Sequence, residues 1–139
     1  MHKTKKEKLT PSERDVQYAV MDWVRAFTSW YPDLEMVIAY PSQGGHGKEA
    51  IIRGQIRKRE GQAKGFPDIM ILVPTQSESQ YQNDKKYHGA YLEIKKEGEK
   101  PRKEQLEWMK KLEKQGYYVC YRDSVDGCIK FIKDYLGIK

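Results

Sequence analysis

Two acids and a base stand at a spacing that suits the hydrolysis of phosphate esters. Pro67-Asp68 heads one apolar run, and Glu93-Ile94-Lys95 lies in the next, with twenty-four residues between the two acids. In an extended strand, side chains two apart point the same way, so Glu93 and Lys95 share one face while Leu92 and Ile94 take the other. If the two runs pair as neighbouring strands, Asp68 approaches Glu93. Carboxylates held that close repel one another, and a divalent cation relieves the repulsion; hard oxygen ligands suit Mg²⁺ or Mn²⁺. Such a cation polarises a phosphoryl oxygen and acidifies bound water, and an adjacent ammonium orients the water or offsets developing charge. An isolated Glu-x-Lys is by itself an ordinary surface pair on an amphipathic strand. The Pro-Asp ahead of it, at the head of a preceding strand, brings the catalytic reading level with that one.

The elements that must hold these groups can be read in order. Ser12 is an N-cap residue with Asp15 three positions on, a capping-box variant, and Val16, Val20, Trp23, Val24 and Phe27 follow at helical spacing. A helix is predicted over 12–29, ended by Pro32. Glu13 is in line with Val16, Val20 and Val24, which puts a carboxylate at the head of the apolar stripe; taken alone, a favourable interaction with the helix dipole is the better explanation. "EMVIAY" predicts a short strand over 35–40, and "PSQGGHGK" a loop. Residues 48–64 predict a short basic helix running into a loop. "FPDIMILVP" and "YLEIKK" are strands, joined by the polar "TQSESQYQNDKKYH", a long flexible hairpin connection. Residues 101–115 turn helical again, with Leu106, Trp108, Met109 and Leu112, and Gly116 stops them. Gln105 is in line with Trp108, Met109 and Leu112, so its amide falls on the inward stripe; taken alone, a frayed polar side chain in the helix's first turn explains it better. "YYVCY" is a last strand, and 124–136 a last helix with Val125, Cys128, Ile129, Ile132 and Leu136 on one stripe. The order α, β, basic irregular piece, β, β, α, β, α implies an α/β fold, a mixed central sheet flanked by helices on both sides.

Composition limits the function classes. The chain has 139 residues, one domain by length, and 26 Lys and Arg against 20 Asp and Glu give a net charge of +6. That excess favours a polyanionic partner without singling out nucleic acid. Cys120 and Cys128 form no CxxC pair and have no nearby histidine to complete a zinc set, so both are expected as reduced core thiols. No apolar run approaches the roughly 20 residues of a membrane span, and the start, "MHKTKKEKLT", has no apolar leader core. A cytoplasmic protein with no membrane partner is expected, with residues 1–11 a solvated basic arm and 12–139 a single domain.

Other motifs carry less. "GGHGK" invites a phosphate-loop reading, but Ser42 stands where a Walker loop needs Gly and Glu49 where it needs Ser or Thr. His46 reads as a loop residue and His88 as a strand-edge residue. Arg53 and Arg57, four apart, face one way on a helix and could contact phosphates together with Lys58, Arg59 and Lys64; a solvated basic face accounts for them as well. The Tyr and Trp residues fall mostly at core spacings.

The ordered set "SERDVQYAV", "GFPDIMILVP", "YLEIKK", "EQLEWMKKLEKQGYYV" and "DGCIKFIKDYL" resembles the VRR-NUC nucleases of the PD-(D/E)xK superfamily, over nearly the whole chain from Ser12 to Leu136. The resemblance implies a restriction-endonuclease-like fold and a Mg²⁺-dependent endonuclease, with Mn²⁺ as a substitute. In it Asp68 and Glu93 would hold the metal with the Ile94 carbonyl, Lys95 would assist the water, Gln105 would support the site and Glu13 would complete it from the first helix. Small stand-alone relatives, phage and bacterial, act as dimers on four-way (Holliday) junctions, so a homodimer acting on branched DNA is implied, with a flap nuclease as the runner-up. A non-catalytic DNA-binding module and an RNA-processing nuclease are the competing classes. "KPRKEQ" departs from the family, in which a Ser or Thr often precedes the Gln turn.

Overall fold

The computed structural model describes residues 10–40, 47–75, 79–80 and 86–139. Helix α1 (Glu13–Phe27) starts at the capping box expected: the Ser12 hydroxyl accepts from the Asp15 N–H at 3.1 Å, and the Asp15 carboxylate accepts from the Ser12 N–H at 3.2 Å. It ends at Thr28, before Pro32. That proline instead opens a 3₁₀ turn (Pro32–Met36), where its fixed φ fits the first position. The strand expected over 35–40 is therefore only Val37–Ala39, β1.

Helix α2 (Gly47–Arg59) follows, then β2 (Ile69–Ile71), β3 (Ala90–Ile94), α3 (Lys103–Lys114), β4 (Tyr118–Arg122) and α4 (Val125–Leu136). β2 is much shorter than its apolar run, because Gly65 turns the chain at φ +82° and Pro67 has no N–H to offer a ladder. The sheet runs β1-β2-β3-β4; the first two pairings are antiparallel and the last parallel, which makes it the mixed sheet expected. Much of the β2–β3 connection, and the loop holding His46, lie outside the described residues, as does most of the basic arm.

Alternation sorts the strands into two faces. Val37, Ile69, Ile71, Ala90, Leu92 and Ile94 point to one side and form the main core with Val16, Val20 and Val24 of α1 and Cys128, Phe131, Ile132, Tyr135 and Leu136 of α4. Phe131 and Tyr135 fall outside the stripe read for the last helix, yet both are buried, and the Tyr135 hydroxyl donates to the Val73 carbonyl at 2.7 Å. The other face carries Tyr91 and Val119, covered by Leu112 of α3 together with Phe66, Met70, Met109 and Tyr117. That cover stops short of β1: Met36, Ile38 and Leu72 stay exposed.

α2 forms where the basic helix was expected and buries no residue; Ile51, Ile52 and Ile56 are exposed. Trp30 and Tyr18 also depart from the core reading, at 76% and 60% exposure. Both cysteines are free thiols; burial pushes each up to about 12, which keeps them inert. His88 precedes β3 and packs on Tyr117. Among the described residues no helix is long and apolar enough to cross a membrane.

Candidate active site

Asp68, Glu93, Lys95, Gln105 and Glu13 come from four elements and meet at one end of the sheet. Antiparallel pairing of Ile69 with Leu92 places Asp68, one residue before, opposite Glu93, one residue after. The Ile94 N–H donates to Asp68 Oδ2 at 2.8 Å and fixes that carboxylate against β3. A strand residue sends its N–H and C=O to the same side, so the Ile94 carbonyl also leaves toward Asp68.

Glu93 and Lys95 are not surface groups on a polar face: they are 2% and 1% exposed. All five residues of β3 are buried, on both faces, because α3 closes over the side that the alternation alone would leave to solvent. A buried charge needs partners, and here they form a chain. Gln105 Nε2 donates to Glu93 Oε1 at 2.7 Å, and Lys95 Nζ donates to Gln105 Oε1 at 3.3 Å. From the far side Glu13 Oε1 pairs with Lys95 Nζ at 3.2 Å. The capping box of α1 thus aims Glu13 at the site.

Gln105 is the third residue of α3 and also takes the place of a cap. Its Oε1 accepts from the Arg102 N–H at 2.8 Å. Arg102 stands at the N-cap position with no acceptor to return the bond, so the departure from Ser or Thr leaves a one-sided cap. Gln105 supplies what remains of it.

Burial first, and then the neighbouring Asp68 by repulsion and by a shared hydrogen bond, raise the Glu93 carboxyl to about 9. Asp68 is raised as well, chiefly by burial, against the lowering effect of the Ile94 N–H. Two carboxyls pressed together in this way retain a proton at neutral pH. Glu93 Oε2 is buried and receives no hydrogen from an N–H or hydroxyl group; the Asp68 carboxyl is close enough to share that proton with Glu93.

These features fit a hard divalent cation. The donors are oxygens, one of them is buried without an N–H or hydroxyl donor, and the repulsion between the acids is what a cation would cancel. Among the described residues no group of three or more His, Cys, Asp or Glu side chains gathers to hold a metal. A cation here would therefore rest on two carboxylates, with a carbonyl and water for the remainder.

The basic candidates lie elsewhere. Arg53, Arg57, Lys58 and Arg59 belong to α2, and Arg53 pairs with Glu49 of the same helix at 3.8 Å. Lys64 is exposed just before Gly65. The aromatic residue beside the site, Phe66, was hidden by its ordinary appearance at the start of an apolar run; its signal is position, two residues before Asp68.

The site stands at the end of a four-stranded mixed sheet with helices on both faces, and comparison with known proteins gives the family. The profile of the VRR-NUC domain matches residues 3–124. The chain belongs to the VRR-NUC domain family, a family of nucleases. A solved structure described as a VRR_NUC domain protein is 26% identical, with a TM-score of 0.68 over 94% of this chain and 92% of its own. No curated protein matches.

Proposed function

We propose that this nuclease is a Mg²⁺-dependent endonuclease of DNA, cutting branched substrates such as four-way junctions, with Mn²⁺ able to replace Mg²⁺. The reading rests above all on the Asp68–Glu93 pair, buried and sharing a proton that a cation would replace, set beside Lys95. Held by Asp68, Glu93 and the Ile94 carbonyl, the metal would polarise the scissile phosphoryl group and offset its negative charge. Lys95 Nζ, anchored by Glu13 and Gln105, orients the attacking water and faces the charge that develops. Gln105 ties Glu93 to Lys95 and keeps both in register.

The basic side chains Arg53, Arg57, Lys58, Arg59 and Lys64 contact phosphates, which carry no base identity, so recognition follows DNA shape. Opposed cuts in a four-way junction need two sites, and the active unit is a homodimer of the single domain 12–139.

Labelled four-way junctions, flaps, plain duplexes and RNA of the same shape, each incubated with Mg²⁺, test the reading. Wild type cuts the DNA junction first and Asp68→Ala, in which the pair is broken, does not. Cleavage by both proteins indicates contamination; binding without cleavage by either indicates a non-catalytic DNA-binding module. Preference for flaps or for RNA would replace the substrate.

A further inference from the structure

Asp68, Glu93 and Gln105 each have an aromatic residue close in sequence: Phe66 two before Asp68, Tyr91 two before Glu93, and Trp108 three after Gln105. The Tyr91–Glu93 and Gln105–Trp108 offsets keep each pair on one face, two along a strand and three along a helix; Phe66 precedes β2 and is placed by its packing on Tyr91. The aromatic partners converge on Phe66. Its ring centroid is 5.4 Å from Tyr91 at 85° and 5.4 Å from Trp108 at 71°, and 5.0 Å from Tyr40 at 46°. Tyr40 also donates its N–H to the Asp68 carbonyl. Edge-to-face contacts of this kind are directional, so the ring fixes angle as well as distance.

The residue before it removes the remaining slack. A Cβ on Gly65 would lie 3.0 Å from the carbonyl carbon of Glu104 and 3.2 Å from the Gln105 nitrogen, and the φ of +82° is one that side chains rarely adopt. The backbone leading to Asp68 thus rests directly on the first turn of α3.

We propose that Phe66 is a positioning residue: its ring, seated among Tyr40, Tyr91 and Trp108, sets the spacing between the strand pair carrying Asp68 and Glu93 and the helix carrying Gln105. Phe66 acts on the reacting groups through the elements that bear them. The consequence for cleavage rests on the nuclease reading above; the consequence for Gln105 does not.

The test uses Phe66→Leu, which fills most of the volume and removes the directional contacts. In ¹⁵N-labelled metal-free protein, the Gln105 side-chain amide signal, assigned by its loss in Gln105→Ala, shifts and exchanges faster in Phe66→Leu. Cleavage by Phe66→Leu falls about 10- to 100-fold in kcat with KM within about twofold, the pattern expected of misplaced reacting groups. In a Gln105→Ala background the same substitution costs less than about twofold more, because both act on one contact. An unmoved Gln105 amide, or losses that multiply in the double variant, overturns the proposal. Should Phe66→Leu fail to fold, Phe66→Met, whose unbranched chain fills the site without the directional ring contacts, carries the same two readouts. A wild type that cuts nothing with Mg²⁺ or Mn²⁺ overturns the nuclease reading alone, and the amide signal still decides the role of Phe66.

Discussion

At the residue scale, the Glu93 carboxyl ties stability to pH. Its value in the folded chain, raised to about 9 by burial and by Asp68, lies above that of an unfolded glutamate, about 4.3, so the folded state binds the extra proton. The sign follows: the contribution is fully present below the unfolded value and is lost as pH rises through the folded one. Melting temperatures of the metal-free protein should fall between about pH 5 and pH 9, and Glu93→Gln should flatten that slope. Mg²⁺ should reverse it, because a cation takes the place of the proton; binding releases protons and tightens as pH rises, which calorimetry in buffers of different ionisation enthalpy would read. Spacing set Asp68 near Glu93 if the two runs paired, Lys95 beside it, and Gln105 and Glu13 on inward stripes, but ordinary surface and helix-end roles explained each residue too, and the cluster as a site came from the family resemblance. The burial of Glu93 and Lys95 was not legible, since strand alternation cannot reveal that a helix from further along the chain closes the second face.

At the scale of elements, ends decide the geometry. The Ser12 cap both starts α1 and sets Glu13 toward Lys95. Ser12→Ala should cost about 1 kcal/mol, a drop of a few degrees in Tm by thermal unfolding, and should also weaken cleavage, because a frayed first turn releases Glu13. Ser124, the N-cap of α4, accepts from the Gly127 N–H at 3.0 Å and lies at no such junction; Ser124→Ala should cost similar stability and leave cleavage unchanged. Helices α1, α3 and α4 were readable because an apolar stripe with a start and stop signal leaves little freedom. β1 and β2 came out at three residues each because strand length is fixed by the partner strand and by Pro32 and Gly65, whose local effects a propensity for extended structure does not contain.

On the scale of the whole molecule, the fold class followed from element order, and α2 is the basic helix expected there, although its isoleucines have no core to enter. Replacing Ile51 and Ile56 with Ser should therefore change stability by less than about 0.5 kcal/mol each in denaturant melts. The double reversal Lys58→Glu with Arg59→Glu should weaken DNA binding across sequences and lower the salt dependence of affinity by about one unit for each phosphate no longer neutralised, leaving kcat near wild type. A last consequence concerns timing. One amide oxygen of Gln105 both begins a helix and holds the lysine of the centre, and the remaining members come from positions as far back as Glu13. A growing chain on the ribosome therefore cannot gather these five side chains until the third helix has wound and docked.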